Sequence, residues 1–529
     1  MVGGNGQVWL YNIFGELQKS FKLLEAGEKS NIVQCKILTR SSSTSIAALT
    51  DSCKFFLVPD VDTGVCRHYH DVPKNERSPQ CWEVFLSRAG EPQILFAKEM
   101  NLFLLTPFKC EQLFFTKTSN SNILDISLSQ DAKNIALYLE TGILWLGTYD
   151  ASQANRINEF LTKSGEKPDS MLWCGNEVVS TLWNKAGILL LVGLEKEWMN
   201  YYMGGFVHLV SEVDGIRVIT KDTNEVIQKV PDQLVQIFKS GSISAGALLL
   251  EACKEFEKHS YKAYEYMRML GDRGEIKLAV EQCTIAAGHE FQVSTQKMLL
   301  RAASFGKNFV PEVVPELFSA VCKNLRILNV VRDKPVAIPL TYDQLANLSI
   351  LCLIDRLVVR RHYFLATKLA KYLKIKEEQG VARILRSWAF YKIKNTTLTD
   401  EEIGQDIIKK IDQSSGVSFA EIAEQAIKEK RMDLAITLLN REYKSSRQVP
   451  LLLDLKQNEQ ALKKATESGE SDLIHMVIHT LSGEHRKDFL STIKRYPDAY
   501  LLYKKVVRLA ELLRNFNSYL FSSSAFTRG

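Results

Sequence analysis

The chain has 529 residues, 46% hydrophobic and 24% charged, with a formal net charge of +6. These are the proportions of a globular protein with two or about three folded units. No stretch reaches the ~18 uncharged apolar residues of a membrane-spanning helix, and the opening MVGGNGQVWLYNIFG lacks the basic-then-apolar order of a secretory leader. The ten cysteines stand singly with no Cys-x-x-Cys, which favours reduced thiols in a cytosolic setting over a disulfide framework. The Asn395-Thr396-Thr397 sequon then reads as a chance match, because glycosylation needs a lumenal compartment.

The net charge conceals a division. Residues 1–230 hold 22 Lys+Arg and 26 Asp+Glu, a balance of −4, whereas the rest hold 45 and 35, a balance of +10; six of the seven tryptophans precede residue 200. Two kinds of architecture follow.

The first half reads as short strands between turns. GQVWLYNIF (6–14) leads into a Gly15-Glu16 turn, and SIAALTDSCKFFLVPDV (45–61) carries an Asp-Ser turn between apolar runs. Runs at 81–87, 93–108, 123–150, 170–194 and 205–230 continue the series. The clearest unit spans Ile123 to Tyr149, where Ser129-Gln130-Asp131 and Glu140-Thr141-Gly142 separate three strands; Asp214-Gly215 is a further hairpin signal. Recurrence at roughly 40–45 residues is the period of a four-stranded propeller blade. The opening Asn-Gly turn feeds an apolar strand like the second half of a blade, and about 230 residues make five or six blades of ~40 residues. Earlier blades are therefore expected to be missing from this chain.

From Pro231 helical periodicity takes over to about residue 515. Residues 242–270 read as a helix pair, 273–288 as a helix ended by Gly288, and 414–443 and 457–485 as further pairs. Small residues recur inside these helices at Leu278-Ala279, Leu365-Ala366, Leu434-Ala435 and Ala461-Leu462, where they let paired helices approach. Stacked pairs of this kind form an α-solenoid with an extended surface for protein contacts. The expected division is thus a β-propeller over 1–230, an α-helical solenoid over 231–515, and an atypical or disordered tail over 516–529.

The stretch from Pro339 to Leu373 is the most strongly patterned. Leu345, Leu348, Leu351, Leu353, Leu357 and Val358, then Phe364, Leu365, Leu369 and Leu373, recur at helical spacing. Thr341 with Gln344 forms a capping-box start signal. A pause at Arg360–His362 predicts two helices packed as a hairpin. Arg356, Arg360, Arg361, Lys368 and Lys371 concentrate positive charge there. They are either a solvated face beside a core stripe or a docking face for an acidic partner or anionic membrane. Asp355 could neutralise the adjacent Arg356. Nucleic acid is disfavoured, since interleaved exposed aromatics and a recognition fold are lacking.

Motifs for bond chemistry are weak. His475 and His479 have the four-residue spacing of two metal ligands, but Met476 replaces the glutamate of His-Glu-x-x-His and only a loosely placed His485 follows; they read as ordinary helical histidines. Cys66, His68 and His70 read as alternate side chains of a strand. Gly306-Lys307 lacks the upstream glycine of a phosphate loop, and Gly3-Gly4-Asn5-Gly6 follows no strand. No catalytic triad or carboxylate pair stands out. No catalytic residue, cofactor or metal is assigned.

Several long blocks carry a family resemblance. LLRAASFGK (299–307), LNVVRD (328–333), IPLTYDQL (338–345), DRLVVRRHYFLATKLAKYL (355–373), QGVARILRSWAFYK (379–392) and VPLLLDLKQNEQALKKATESGESDLI (449–474) together resemble the vacuolar protein sorting-associated protein 16 family. ETGILWLGT (140–148), EVDGIRV (212–218) and AGALLLEAC (245–253) agree, so the resemblance runs from about residue 6 to about 505. It implies an N-terminal β-propeller, a C-terminal α-solenoid and membership of the HOPS and CORVET tethering complexes. Those act with Rab GTPases and SNARE proteins on endosomes, late endosomes and lysosomes or vacuoles. The implied partners are the other core subunits and the Sec1/Munc18-like subunit that templates SNARE assembly. Members of the family are longer at both ends, and the tail RLAELLRNFNSYLFSSSAFTRG departs from their continuation. The Sec1/Munc18-like subunit docks on the later solenoid, so its docking residues are not carried over.

The expectation is a non-enzymatic scaffold, cytoplasmic and peripheral on endolysosomal membranes. Two alternatives are a clathrin-like or coat-type trafficking scaffold, which shares this domain order, and an enzyme with its site in the propeller channel.

Overall fold

The computed structural model of the chain describes residues 2–508 except 13–14, 16, 24–29, 40–43, 70–78, 88–89, 117–119, 151–152, 311–314, 396–398, 413–415 and 485–490. The chain divides into two compact units, Met1–Ile350 and Leu351–Gly529.

Unit one begins with a hairpin, β1 (Gln7–Tyr11) and β2 (Leu17–Lys22), followed by antiparallel meanders. The first is β3–β6 (Ile32–Thr39, Thr44–Thr50, Phe55–Val58, Arg67–His68) and the second β7–β10 (Cys81–Leu86, Pro92–Lys98, Asn101–Leu105, Cys110–Phe115). The third is β11–β14 (Ile123–Leu128, Asn134–Leu139, Ile143–Asp150, Gln153–Leu161) and the fourth β15–β18 (Ser170–Cys174, Val178–Trp183, Ile188–Gly193, Trp198–Tyr202). A three-stranded sheet, β19–β21 (His208–Ser211, Gly215–Ile219, Asn224–Gln228), closes the series. The first strands begin at residues 32, 81, 123, 170 and 208, a repeat of about 40–50 residues. The three strands expected between Ile123 and Tyr149 are β11–β13. In the turn between β12 and β13, Gly142 has φ +77° and a Cβ there would lie 2.3 Å from the Ser164 carbonyl oxygen, so only glycine fits.

The buried apolar side chains show how the sheets are arranged. Each core lies between consecutive sheets. Val8 and Leu23 meet Ile46 and Phe56; Leu49 and Phe55 meet Trp82 and Phe96; Leu95 and Leu104 meet Ile126 and Trp145. Tyr138 and Leu144 then meet Trp173 and Leu190, and Leu182 and Leu189 meet Leu209 and Val218. The first strands of successive meanders, β3, β7, β11, β15 and β19, also lie side by side. Sheets stacked face to face about their first strands are the blades of a β-propeller. Trp82, Trp145 and Trp173 are its largest fully buried side chains, and two of their N–H groups bridge blades: Trp82 Nε1 donates to Gln34 Oε1 at 2.7 Å and Trp173 Nε1 to the Ser127 carbonyl at 3.1 Å.

The same unit continues into α1–α7 (Asp232–Phe238, Ala245–Glu257, Lys262–Asp272, Ile276–His289, Val293–Lys307, Pro315–Arg332, Tyr342–Asn347). Helix α2 touches α3 and α4, and α4 touches α5 and α6, so adjacent helices pair while alternate ones stack. Their shared core includes Leu249, Leu270, Ala279, Cys283, Leu299 and Ala302. Gly288 does not end α4 as expected; it is buried one residue inside the helix, where a Cβ would press to 3.2 Å on the Tyr342 ring. Arg332 fixes the approach to α7: its Nε donates to the Leu340 carbonyl at 2.8 Å and its guanidinium lies 4.0 Å over Phe291. Burial lowers its pKa to about 10, which leaves it charged at neutral pH.

Helix α7 carries the expected capping box. Thr341 Oγ1 accepts from the Gln344 backbone N–H, and Gln344 Oε1 accepts from the Thr341 N–H. That buried glutamine, 5% exposed, also reaches the last propeller sheet. Its Nε2 donates to Asp214 Oδ1 at 2.9 Å, and Arg217 donates to its Oε1 and to the Pro339 carbonyl, each at 3.4 Å. Arg217 is itself held by Glu212 at 2.8 Å.

Unit two contains α8–α16 (Ile350–Val359, Tyr363–Tyr372, Val381–Ile393, Asp400–Ile411, Phe419–Lys428, Met432–Leu439, Ser445–Asp454, Asn458–Ser468, Ser471–Glu484). Contacts run α10 to α12, α12 to α14 and α14 to α16, with α13 and α15 pairing between them. This alternation is the stacking of an α-solenoid. Ala279, Ala366, Ala435 and Ala461, the small residues of the recurring dipeptides, are fully buried.

Replacing Gln344 with leucine removes the side-chain half of the box and the two bonds to the propeller. It is expected to cost ~1–3 kcal/mol locally, read as faster hydrogen–deuterium exchange over residues 339–347 with β15–β17 unchanged. Thiol labelling gives a second check. Burial pushes the Cys81 and Cys283 thiols up to about 12, so they stay protonated while only the thiolate reacts. At about pH 8 a maleimide should label exposed Cys35 and Cys352 in the native protein and reach Cys81 and Cys283 only after denaturation.

Candidate docking surface

The five predicted cations fall on α8, α9 and the turn between them, and all are exposed. The turn forms because Arg361 adopts φ +66°, letting its N–H donate to the Val358 carbonyl and that of His362 to Leu357, each at 2.9 Å. One expectation for this stretch is corrected. The run from Leu345 to Val358 is not one helix, because Leu348 turns extended (ψ 127°) and separates α7 from α8. The following pair finds its neighbour in α10, which lies against α9 and ties to both sides of the turn. Asp355 of α8 pairs with Arg383 of α10 at 2.5 Å, and Arg361 stacks 4.5 Å over Tyr391 while donating to its hydroxyl at 3.2 Å. Burial also raises the Tyr363 phenol above its ordinary pKa.

Asp355 therefore neutralises Arg383 and not its neighbour Arg356. Phe364, counted with the apolar stripe, is 74% exposed. It lies five residues before Leu369, about 140° around the helix from that buried side chain. It joins the outward face of α9 with Lys368 and Lys371, and Lys368 Nζ sits 4.4 Å over its ring. An exposed aromatic thus stands among the cations of α9. Sequence reasoning saw the cations but missed Arg383 and Tyr391, which hold the turn, and misplaced Phe364; the phase of Ala366, Leu369 and Ala370 was the available signal.

The other motifs resolve plainly. Gly306 is a packing glycine inside α5, where a Cβ would come within 2.7 Å of Val280 Cγ2. Asn5 Oδ1 accepts from the Gln7 N–H in the turn before β1. His475 and His479 lie on α16, and Cys66 donates to the Leu23 carbonyl at 2.7 Å. Among the described residues no group of three His, Cys, Asp or Glu side chains gathers as a metal site, and no helix is long and apolar enough to cross a membrane. His70, His485, Thr396, Thr397 and the tail beyond 508 lie outside the described residues.

Comparison with known proteins adds a second line. Residues 1–319 match the family described as Vps16, N-terminal region, and residues 417–519 match Vps16, C-terminal region. The second match runs to 519, so part of the tail read as departing from the family falls within it. A vacuolar protein sorting-associated protein 16 homolog of Drosophila melanogaster is 33% identical over 517 residues, 95% of this chain and 60% of that protein. The Dictyostelium discoideum homolog is 34% identical over 485 residues (90% and 56%), and the protein VACUOLELESS1 of Arabidopsis thaliana is 30% identical over 497 residues (90% and 56%). The chain spans less than two thirds of the length of these relatives.

Because Arg356, Lys368 and Lys371 are exposed, changing all three to glutamate should shift stability by no more than about 0.5 kcal/mol per site. Arg361→Ala, which loses the stack on Tyr391, should cost ~0.5–1 kcal/mol. Urea unfolding followed by circular dichroism measures both; a loss well above about 1.5 kcal/mol in the triple variant would show that these cations are structural.

Proposed function

The chain belongs to the Vps16 family, and on that premise we propose that it is a non-enzymatic scaffold of an endolysosomal tethering complex of the HOPS/CORVET class. The carrying observation is a family match over most of the chain together with the propeller-then-solenoid order. In this reading the propeller of residues 1–230 and the solenoid of 231–515 hold other subunits at fixed positions near endosome, late endosome and lysosome or vacuole membranes. The complex then supports docking, SNARE-mediated fusion and protein transport, with Rab GTPases as indirect partners. Binding energy comes from apolar helix faces and complementary charge; no bond chemistry is required.

The basic face on α8 and α9 is, in this reading, a docking surface for an acidic protein partner. Its five cations are exposed, Lys368 lies over the exposed Phe364, and the neighbouring carboxylate of Asp355 is occupied by Arg383. Arg and an exposed aromatic are the usual anchors of protein interfaces, and a single-sign rim steers association.

The test is a pull-down of this chain against the individual core subunits and the Sec1/Munc18-like subunit, beside a longer relative. Co-purification with at least one core subunit is expected, and in the Arg356→Glu, Lys368→Glu, Lys371→Glu variant the association rate of the acidic partner should fall about tenfold or more at low salt. Failure of this chain to capture any subunit, while the longer relative captures them, would overturn the scaffold reading. Binding of the basic face to anionic vesicles, with protein binding unaffected by the triple change, would replace the acidic protein by a membrane.

A further inference from the structure

Two successive junctions at the rim of the propeller are built differently. Between the second and third meanders the last strands meet, β10 pairing in parallel with β14 through Phe114↔Gln153 and Phe115↔Ala154. Between β14 and β18 no such pairing occurs among the described residues. A cavity of about 530 Å3 opens there instead, lined by Phe160, Trp183, Ile188, Leu190 and Trp198.

Strand β18 borders this cavity and is the last of its sheet. Every residue from Trp198 to Tyr202 is exposed, and the pairing with β17 runs from Val192↔Trp198 to Ile188↔Tyr202 without a bulge. Free edges are normally guarded by charge, proline or a bulge, because their unpaired N–H and C=O groups can pair with another chain. The sequence WMNYY carries none of these guards. Its Trp198 ring lies 5.9 Å from that of Phe160 across the junction.

The rim carries a positive balance. Lys163, Lys167 and Lys185 line the cavity against Glu166 and Asp169. Lys167 lies 3.6 Å from Asp125, and Asp169 accepts from the Asn184 backbone N–H at 2.7 Å. Lys163 and Lys185 meet no carboxylate at ion-pair distance among the described residues.

We propose that this groove binds an extended peptide segment of a partner protein. Its backbone pairs with the free edge of β18, a large apolar side chain fills the cavity, and a carboxylate two residues away meets Lys163 or Lys185. In an extended strand residues i and i+2 project to the same side, so one face of the segment supplies both groups. The pairing of β10 with β14 shows the same kind of strand meeting at the preceding junction. Strand addition of this type draws affinity from the main chain and specificity from alternate side chains.

The proposal goes beyond complex membership, and its test uses no other subunit. The probe is a fluorescein-labelled nonapeptide with leucine at its centre, glutamate two residues to each side and threonine elsewhere, titrated with the full chain by fluorescence anisotropy. Saturable binding is expected, weakened about tenfold by Trp198→Ala and by the double variant Lys163→Glu, Lys185→Glu. A peptide with lysines in place of the glutamates, and one N-methylated along one edge, should not bind measurably. Tyr264→Ala, at an exposed aromatic on α3, should change nothing. Lys163 and Lys185 are exposed, so their variant stays informative even if Trp198→Ala lowers the melting temperature. Equal binding of the glutamate and lysine peptides, or affinity unchanged in the double variant Lys163→Glu, Lys185→Glu, overturns the proposal, as does absence of binding by the glutamate probe.

Discussion

One side-chain amide ties the two kinds of architecture in the first unit together. Gln344 completes the cap of α7 through its oxygen and, through its nitrogen, holds Asp214 in the last propeller sheet. Buried at 5% exposure, it cannot exchange these bonds for water, so each unmade bond would leave a desolvated polar group. The geometry of α7 is therefore not a local matter. A Thr-x-x-Gln pattern that looks like an ordinary helix start is also the clasp by which the helices after Gln228 grip the strands before it.

The propeller shows where sequence reading succeeds and fails. Strands such as β4, β8, β12 and β17 are sandwiched between sheets and read as dense apolar runs, so their positions were legible. Strands β2, β3, β10, β14 and β18 were not marked individually. Most are wet on one face or both, and the demand for apolar side chains that makes a strand visible is absent there. Strand β18 is the extreme case: it is rich in aromatics, yet all of it is exposed. The helices were more legible, because a 3.6-residue period survives when only one face is buried. The break at Leu348 was hidden because its flanking leucines keep the period through a turn that leaves the helix.

The basic face was legible as a set of residues and not as an arrangement. Five cations within sixteen residues are evident in the chain. That Asp355 is claimed by Arg383, twenty-eight positions later, and that Arg361 rests on Tyr391, thirty positions later, are facts of packing. The position of Phe364 outside the core required knowing which residues of α9 face α10. Both points depend on α10, because each helix of a solenoid takes its orientation from the next one along.

The placement of the cores between successive sheets has a consequence for the order in which the chain can be made. Each core needs only the next ~45 residues to close, which a ribosome adding ~5–20 residues per second delivers in roughly 2–9 seconds. Strand surfaces on a growing chain are then covered almost as soon as they emerge, and the interval in which nascent sheets could meet those of another polysome stays short. The bond from Gln344 to Asp214 breaks this rule, for its partners are 130 residues apart. The last sheet must wait roughly 6–26 seconds for the helix that clasps it, which gives a nascent-chain chaperone that interval in which to act on β19–β21.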